Sequence, residues 1–111
     1  MNGTLLRGRD AKVRANDFIQ TDIAGRITDV SEHARKLLLE LGSPIAVEGV
    51  TYTHAIVSPR LARDDLNVLL SNGVLGCSVT MVPKDRFDQS NPFDLAWWRG
   101  GAAVVTDVML D

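Results

Sequence analysis

Two histidines, His33 and His54, one cysteine, Cys77, and fourteen carboxylates are the groups this chain could use for acid–base, nucleophilic or metal chemistry. Catalysis needs such groups in matched roles, and no Gly-x-Ser-x-Gly, Walker or dinucleotide-binding glycine pattern organises them. His33 stands two positions after Ser31, where an expected helix turns it to solvent, and His54 has no cysteine or second histidine at metal-ligand spacing. The sequence therefore predicts no metal site and no cofactor. Cys77 lies between Gly76 and Ser78 in a stretch rich in Val and Met, a setting in which a thiol packs as a small apolar group; as a nucleophile it would need His33 or His54 beside it. Asp64 and Asp65 fall in the first turns of an expected helix, and Asp22, Asp29 and Glu32 read as turn and cap residues. Gly73 and Gly76 have a G-x-x-G spacing, but apolar Val74 and Leu75 stand between them, which suits a helix stop and strand start better than a phosphate clamp. The inventory points away from an enzyme.

What remains is a surface. Lys84, Arg86 and Phe87 lie in a polar, proline-bounded loop, Pro83 to Pro92, long enough to carry function, and Trp98 and Arg99 follow it; Trp and Arg are the residue types enriched at binding hot spots. Phe93 to Leu110 reads as two strands joined by Gly100-Gly101, a turn that needs positive φ. In that register Trp98 faces Ala103 and Trp97 faces Val104, so the tryptophans point to opposite faces. Trp97, with Leu95, Val104, Val108 and Leu110, is then expected in the core. Trp98 is expected to be partly exposed, or covered by another chain or by the N-terminal arm.

The elements that must position this surface follow from periodicity. Residues 1–17 carry Arg7, Arg9, Lys12 and Arg14 against Asp10 and Asp17 with little apolar pattern, and read as a basic arm or an edge strand. Gly25 to Val30 alternates as a short strand. Ser31 is a good N-cap, and Ala34, Leu37, Leu38 and Leu41 follow at i, i+3, i+4 and i+7, with Gly42 as the stop, so a first helix is predicted. Ile45 to Ile56 reads as one or two strands with Glu48-Gly49 as a turn or bulge. Ser58-Pro59 with Leu61, Ala62, Leu66, Leu69 and Leu70 predicts a second helix ending at Asn72-Gly73, and Val74 to Val82 a further strand.

A chain of 111 residues suits one domain with its own core, here residues 18–111 behind the arm. Its 45% hydrophobic and 23% charged content is ordinary for a globular protein, and a net charge of −2 disfavours nucleic acid. No apolar run approaches the roughly 18 residues of a membrane span, no signal-peptide core is visible, and a lone cysteine forms no internal disulfide. A cytoplasmic location is expected.

Thr21 to Arg35 resembles the opening hairpin and helix of a PAS sensor domain over that part alone. A second resemblance runs nearly the whole length: Asp29 to Arg35, Gly42 to Val47, Val79 to Asp85 and Val104 to Leu110 are similar, in order, to an uncharacterised family of small proteins carried on plasmids, integrative elements and phages. The chain departs from that pattern in its Leu-rich first helix and in Trp97-Trp98. The family carries over no functional residues. It implies a habitat of mobile elements, whose small acidic proteins bind host proteins to antagonise defence.

The combined expectation is an α+β domain, a mostly antiparallel sheet of four to six strands with two helices on one face. Its expected function is non-enzymatic protein binding, as an inhibitor of a host defence or restriction complex acting by occlusion. The alternative is a phage head-tail or tail-associated subunit that forms homo-oligomers and orders its arm on assembly. In either case the expected partner is a host or phage protein.

Overall fold

The computed structural model describes residues 3–14, 22–61, 63–98 and 103–110, with the backbone alone at 3, 4 and 103–105. It is a closed six-stranded antiparallel barrel, not a sheet with two helices on one face. The strands run β1 (Asp10–Arg14), β2 (Ile23–Ser31), β3 (Lys36–Val47), β4 (Val50–Pro59), β5 (Val74–Pro83) and β6 (Ala103–Leu110), each paired with the next, and β6 returns to β1. Two short helices, α1 (Gly3–Leu6) and α2 (Asn67–Asn72), lie outside the ladder.

Alternation builds the interior. Ala11, Val13, Ile23, Ile27, Leu37, Leu39, Val57, Leu75, Cys77, Val79, Met81 and Val108 all belong to one buried cluster. Each large aliphatic removed from water there contributes about 1.5–3 kcal/mol. The antiparallel order places the β1 start, the β2–β3 turn and the β4–β5 connection at one end of the barrel, and there Leu6 of α1 with Leu66 and Leu69 beside and within α2 joins the same cluster as a plug. The β3–β4 hairpin and both ends of the β5–β6 connection lie at the opposite end.

The first expected helix is instead the β2–β3 turn and the first half of β3. Leu37, Leu39 and Leu41 point inward at period two, while Leu38 points outward and is also buried, at 3% exposure. A strand apolar on both faces produces the same leucine run as a helix, which is why the i, i+3, i+4 count misled. Gly42 and Pro44 do not stop a helix; they sit in a wide bulge. Glu40 pairs with His54 and Ile45 with Tyr52, so Leu41, Gly42, Ser43 and Pro44 together oppose Thr53 alone. Pro44, lacking an N–H, occupies a stretch where the β3–β4 ladder is interrupted.

The second expected helix shrinks to α2, because Ser58 and Pro59 continue β4 and pair with Ser78 and Cys77. Asp65 closes the turn that leads into it, its carboxylate accepting the Asn67 N–H at 2.9 Å, and Gly73 ends α2 in the left-handed region with φ of 74°. Residues 10–14 are neither a loose arm nor an edge, since β1 is paired on both sides. The Trp hairpin does not form: Phe93 to Trp98 is a series of turns, and β6 pairs with β5 and β1 instead. The Gly100-Gly101 turn lies outside the described residues. The strand expectations at Gly25 to Val30, Ile45 to Ile56 and Val74 to Val82 hold, and Glu48-Gly49 forms a two-residue hairpin turn with φ of 51° and 82°, the two positive values of a type I′ turn.

Two substitutions probe this packing. A Cβ at Gly25 would sit 2.6 Å from the Glu40 carbonyl oxygen of the neighbouring strand, so backbone must move to admit it. Gly25→Ala is expected to destabilise the barrel by about 1–3 kcal/mol in chemical denaturation, the usual range for overpacking; an unchanged midpoint would refute the close approach. Thr106 is 5% exposed, and its hydroxyl finds no hydrogen-bond partner among the described residues. Thr106→Val keeps the shape and removes a buried unsatisfied group, so it is expected to raise stability by about 1 kcal/mol in the same assay.

Candidate partner-binding surface

The outer wall of the barrel is apolar where β3, β4 and β5 meet. Leu38, Ile56 and Val82, one from each strand, are 3%, 1% and 1% exposed although they point away from the interior. They are covered by residues 84–98, the described part of the β5–β6 connection, whose Phe87, Phe93, Leu95 and Trp97 pack against them. We call this segment the strap. It gives the protein a second, smaller hydrophobic cluster on the outside of the sheet.

The strap leaves β5 at Pro83, with Lys84 N–H still donating to the Thr51 carbonyl at 2.8 Å. It then divides its own side chains between wall and solvent. Lys84, Asp85 and Arg86 are exposed and line, with Pro83 and residues 49–51 of the β3–β4 hairpin, an open groove of about 620 Å³. Phe87 turns the other way and stacks on His54, ring centroids 3.7 Å apart and planes within 4°. It borders a second cleft, of about 340 Å³, with Thr28, Asp29, Glu40 and Gln89. Trp97 joins the wall, whereas Trp98, at the far end of the strap, is 37% exposed. The structure thus brings Lys84 and Arg86 together on one groove and sets Phe87 in the neighbouring cleft. Arg99 lies outside the described residues. Trp98 is partly exposed as expected, but Trp97 is not in the core with Val108 and Leu110: a turn sets it, with Leu95, half-buried on the outer wall, while Val108 lies in the interior cluster with Leu110 packed against it.

His54 was not legible as part of this site. Its side chain is 12% exposed, and the Thr53 hydroxyl lies 2.9 Å from Nδ1 while a Glu40 carboxylate oxygen lies 3.9 Å from Nε2. Burial beneath the strap lowers its pKa, and Glu40 pulls it back in part. Threonine, histidine and carboxylate in that order suggest a nucleophile, base and orienting acid. The geometry does not support the roles: 3.9 Å is too long for a hydrogen bond, and Thr53 does not line the cleft into which His54 faces. His54 stands on the outer face of the wall and Cys77 inside it, so no histidine of this wall approaches the thiol; His33 is exposed in the β2–β3 turn. Among the described residues, no three His, Cys, Asp or Glu side chains are grouped to hold a metal ion, and no helix is long and apolar enough to cross a membrane.

Cys77 itself is fully buried, and burial together with the Asp107 carboxylate pushes its thiol up to about 12, against smaller opposite effects from the Val108 backbone and Arg60. The neutral thiol is the folded form. Stability from this site is complete below the ordinary thiol range and is lost as pH climbs toward about 12, because the unfolded chain ionises first. Iodoacetamide at about pH 8.5 is expected to leave Cys77 unmodified in the folded protein and to alkylate it in denaturant, read by mass spectrometry. Rapid labelling of the folded protein would contradict the packing role.

Comparison of the chain with protein families, with curated proteins and with solved structures finds no match, so the surface built by the strap is read from its own chemistry.

Proposed function

We propose that this protein is a non-enzymatic protein-binding module of a mobile genetic element, an inhibitor that occludes a host defence or restriction complex with the exposed side of its strap. The mobile-element setting rests on the resemblance of Asp29 to Arg35, Gly42 to Val47, Val79 to Asp85 and Val104 to Leu110 to proteins of such elements. The observation that carries the binding reading is the division of the strap. Phe87, Phe93, Leu95 and Trp97 are anchored on the wall, which holds Lys84, Arg86 and Trp98 toward solvent on a fixed support.

Each β-strand of the described barrel is paired on both sides, so recognition by addition of a partner strand is disfavoured and side chains must supply the contacts. Tryptophan and arginine are suited to such contacts, because each buries a large area and keeps a polar handle, and truncation of such an anchor commonly costs about 2 kcal/mol or more of binding. Lys84 and Arg86, on the groove beside Val50, would set orientation and association rate more than affinity. Val50 is itself 38% exposed and adds apolar area at the groove.

The test is capture from host lysate by the immobilised wild type and by an Arg86→Ala, Trp98→Ala double variant, each checked for folding by circular dichroism. The wild type is expected to retain a host protein that the variant releases at least tenfold more readily. Equal retention by both rejects the surface. Assembly of the pure wild type into rings or higher oligomers in light scattering would favour a virion subunit and reject the inhibitor reading.

A further inference from the structure

Past the Lys84 N–H bond to the Thr51 carbonyl, the strap grips the barrel through side chains, and one group beneath it, His54, is titratable. Its backbone closes turns on itself: the Arg86, Asn91 and Asp94 N–H groups donate to the Pro83, Asp88 and Asn91 carbonyls at 3.0, 3.1 and 3.2 Å. The Asp88 and Asp94 carboxylates accept the Ser90 and Ala96 N–H groups, both at 2.9 Å. Except for the first, which hangs on Pro83 at the end of β5, these turns keep the strap's shape without using the barrel. What fastens it is the apolar contact with Leu38, Ile56 and Val82 and the face-to-face stack of Phe87 on His54.

Every element packed around His54 contributes a nameable group. Its own strand places the Thr53 hydroxyl on Nδ1, and β3 places Glu40 at 3.9 Å from Nε2. From β2, Asp29 lines the same cleft, where it is paired with Arg7 at 2.8 Å. The strap supplies the Phe87 ring and Gln89, both uncharged, while Asp85, Arg86 and Asp88 beside Phe87 are exposed. Glu40 favours an imidazolium, and an aromatic face tolerates a cation. Enclosure beneath the strap opposes it, because a stacked, nearly buried ring cannot recover the water that a charge requires. Enclosure exceeds the pull of Glu40, and the docked imidazole is held neutral below its usual range.

We propose that residues 84–98 form an acid-released strap: protonation of His54 undocks Phe87 and with it Phe93, Leu95 and Trp97, uncovering the Leu38, Ile56 and Val82 wall while the barrel stays closed. Released from the strap, His54 regains the water that burial took from it, so its pKa returns toward the ordinary range with Glu40 still opposite it. The docked state therefore keeps its full stability above about pH 6.5 and loses it as pH falls, tenfold for each unit by which docking depresses the group. The barrel does not share this dependence directly, since its six ladders close without the strap. The mechanism concerns the chain alone and needs no partner, so its failure and that of the binding reading are separable.

Trp97 and Trp98 are the chain's two tryptophans and both lie on the strap, so tryptophan emission reports on it specifically. Emission, acrylamide quenching and far-ultraviolet circular dichroism are followed from about pH 7.5 to 5 in the full chain. The wild type and a His33→Gln control are expected to show a red shift and stronger quenching below about pH 6.5 with the strand signal unchanged, and His54→Gln to show neither change in that window. A wild type that stays flat, a His54→Gln variant that follows the wild type, or loss of the strand signal together with the emission change would each overturn the proposal. If His54→Gln does not fold, Glu40→Gln decides: removing the group that favours protonation must move the transition to lower pH, and an unmoved transition rejects the mechanism.

Discussion

The pairing of β1 with β6 is the constraint on which everything else depends. Ala11, Lys12, Val13 and Arg14 meet Leu110, Met109, Val108 and Asp107 in register, joining segments from opposite ends of the chain. Closing so long a loop is entropically expensive, and the expense grows only slowly with length, so the ladder and the interior it seals must offset a roughly constant cost. The return is geometric. With β6 occupied on one side by β5 and on the other by β1, neither terminal strand is left as an edge, and a small all-β chain escapes the association that exposed edges invite. Closure also fixes what can lie inside: Val13 and Val108 meet across the seam, and the space they enclose with Cys77, Val79 and Met81 is filled by side chains.

Closure also explains the strap. A closed barrel has one interior, and this chain buries apolar side chains beyond those that the interior holds. Leu38, Ile56 and Val82 are the surplus, displaced to the outer wall by the alternation that puts Leu37, Leu39, Val57 and Met81 inside. An apolar patch left open on that wall would be an association hazard. The β5–β6 connection covers it, and because both ends of that connection are fixed by closed ladders, the cover is held at two points. The first hydrophobic cluster specifies the barrel and the second specifies where the connection lies.

The sequence signals that succeeded are local, and those that failed needed knowledge of distant partners. The alternation at Gly25 to Val30, the Glu48-Gly49 turn and the Gly73 stop depend on a few neighbouring residues and were legible. The leucines at 37, 38, 39 and 41 were not, because Leu38 is buried by a strap some fifty residues later, and only that contact makes a strand apolar on both faces reasonable. The Gly100-Gly101 signature beside two tryptophans suggested a hairpin for a sound local reason. It lost to a competition no local pattern shows, since β5 and β1 take both sides of β6 and leave Phe93 to Trp98 no ladder to join. Of the candidate site, the polar proline-bounded loop and the pair Lys84 and Arg86 could be read directly. His54 could not, for its importance comes from the β3–β4 register that sets it opposite Glu40 and under Phe87.

A scaffold without edges also restricts where recognition can occur. In an open sheet, a partner can extend the ladder and use backbone hydrogen bonds that any sequence supplies; in this barrel that route is closed, and specificity must come from side chains on segments outside the ladder. Among the described residues the strap is the longest such segment, and both of its clefts are walled on the other side by barrel strands or the β3–β4 hairpin. Its hold on the barrel is therefore coupled to its outward face. Whatever orders Phe87 against His54 also orders Arg86, one residue away, and whatever seats Trp97 on the wall sets the direction of Trp98. The same wall contact that relieves the barrel of exposed apolar surface thus also sets which strap side chains face outward.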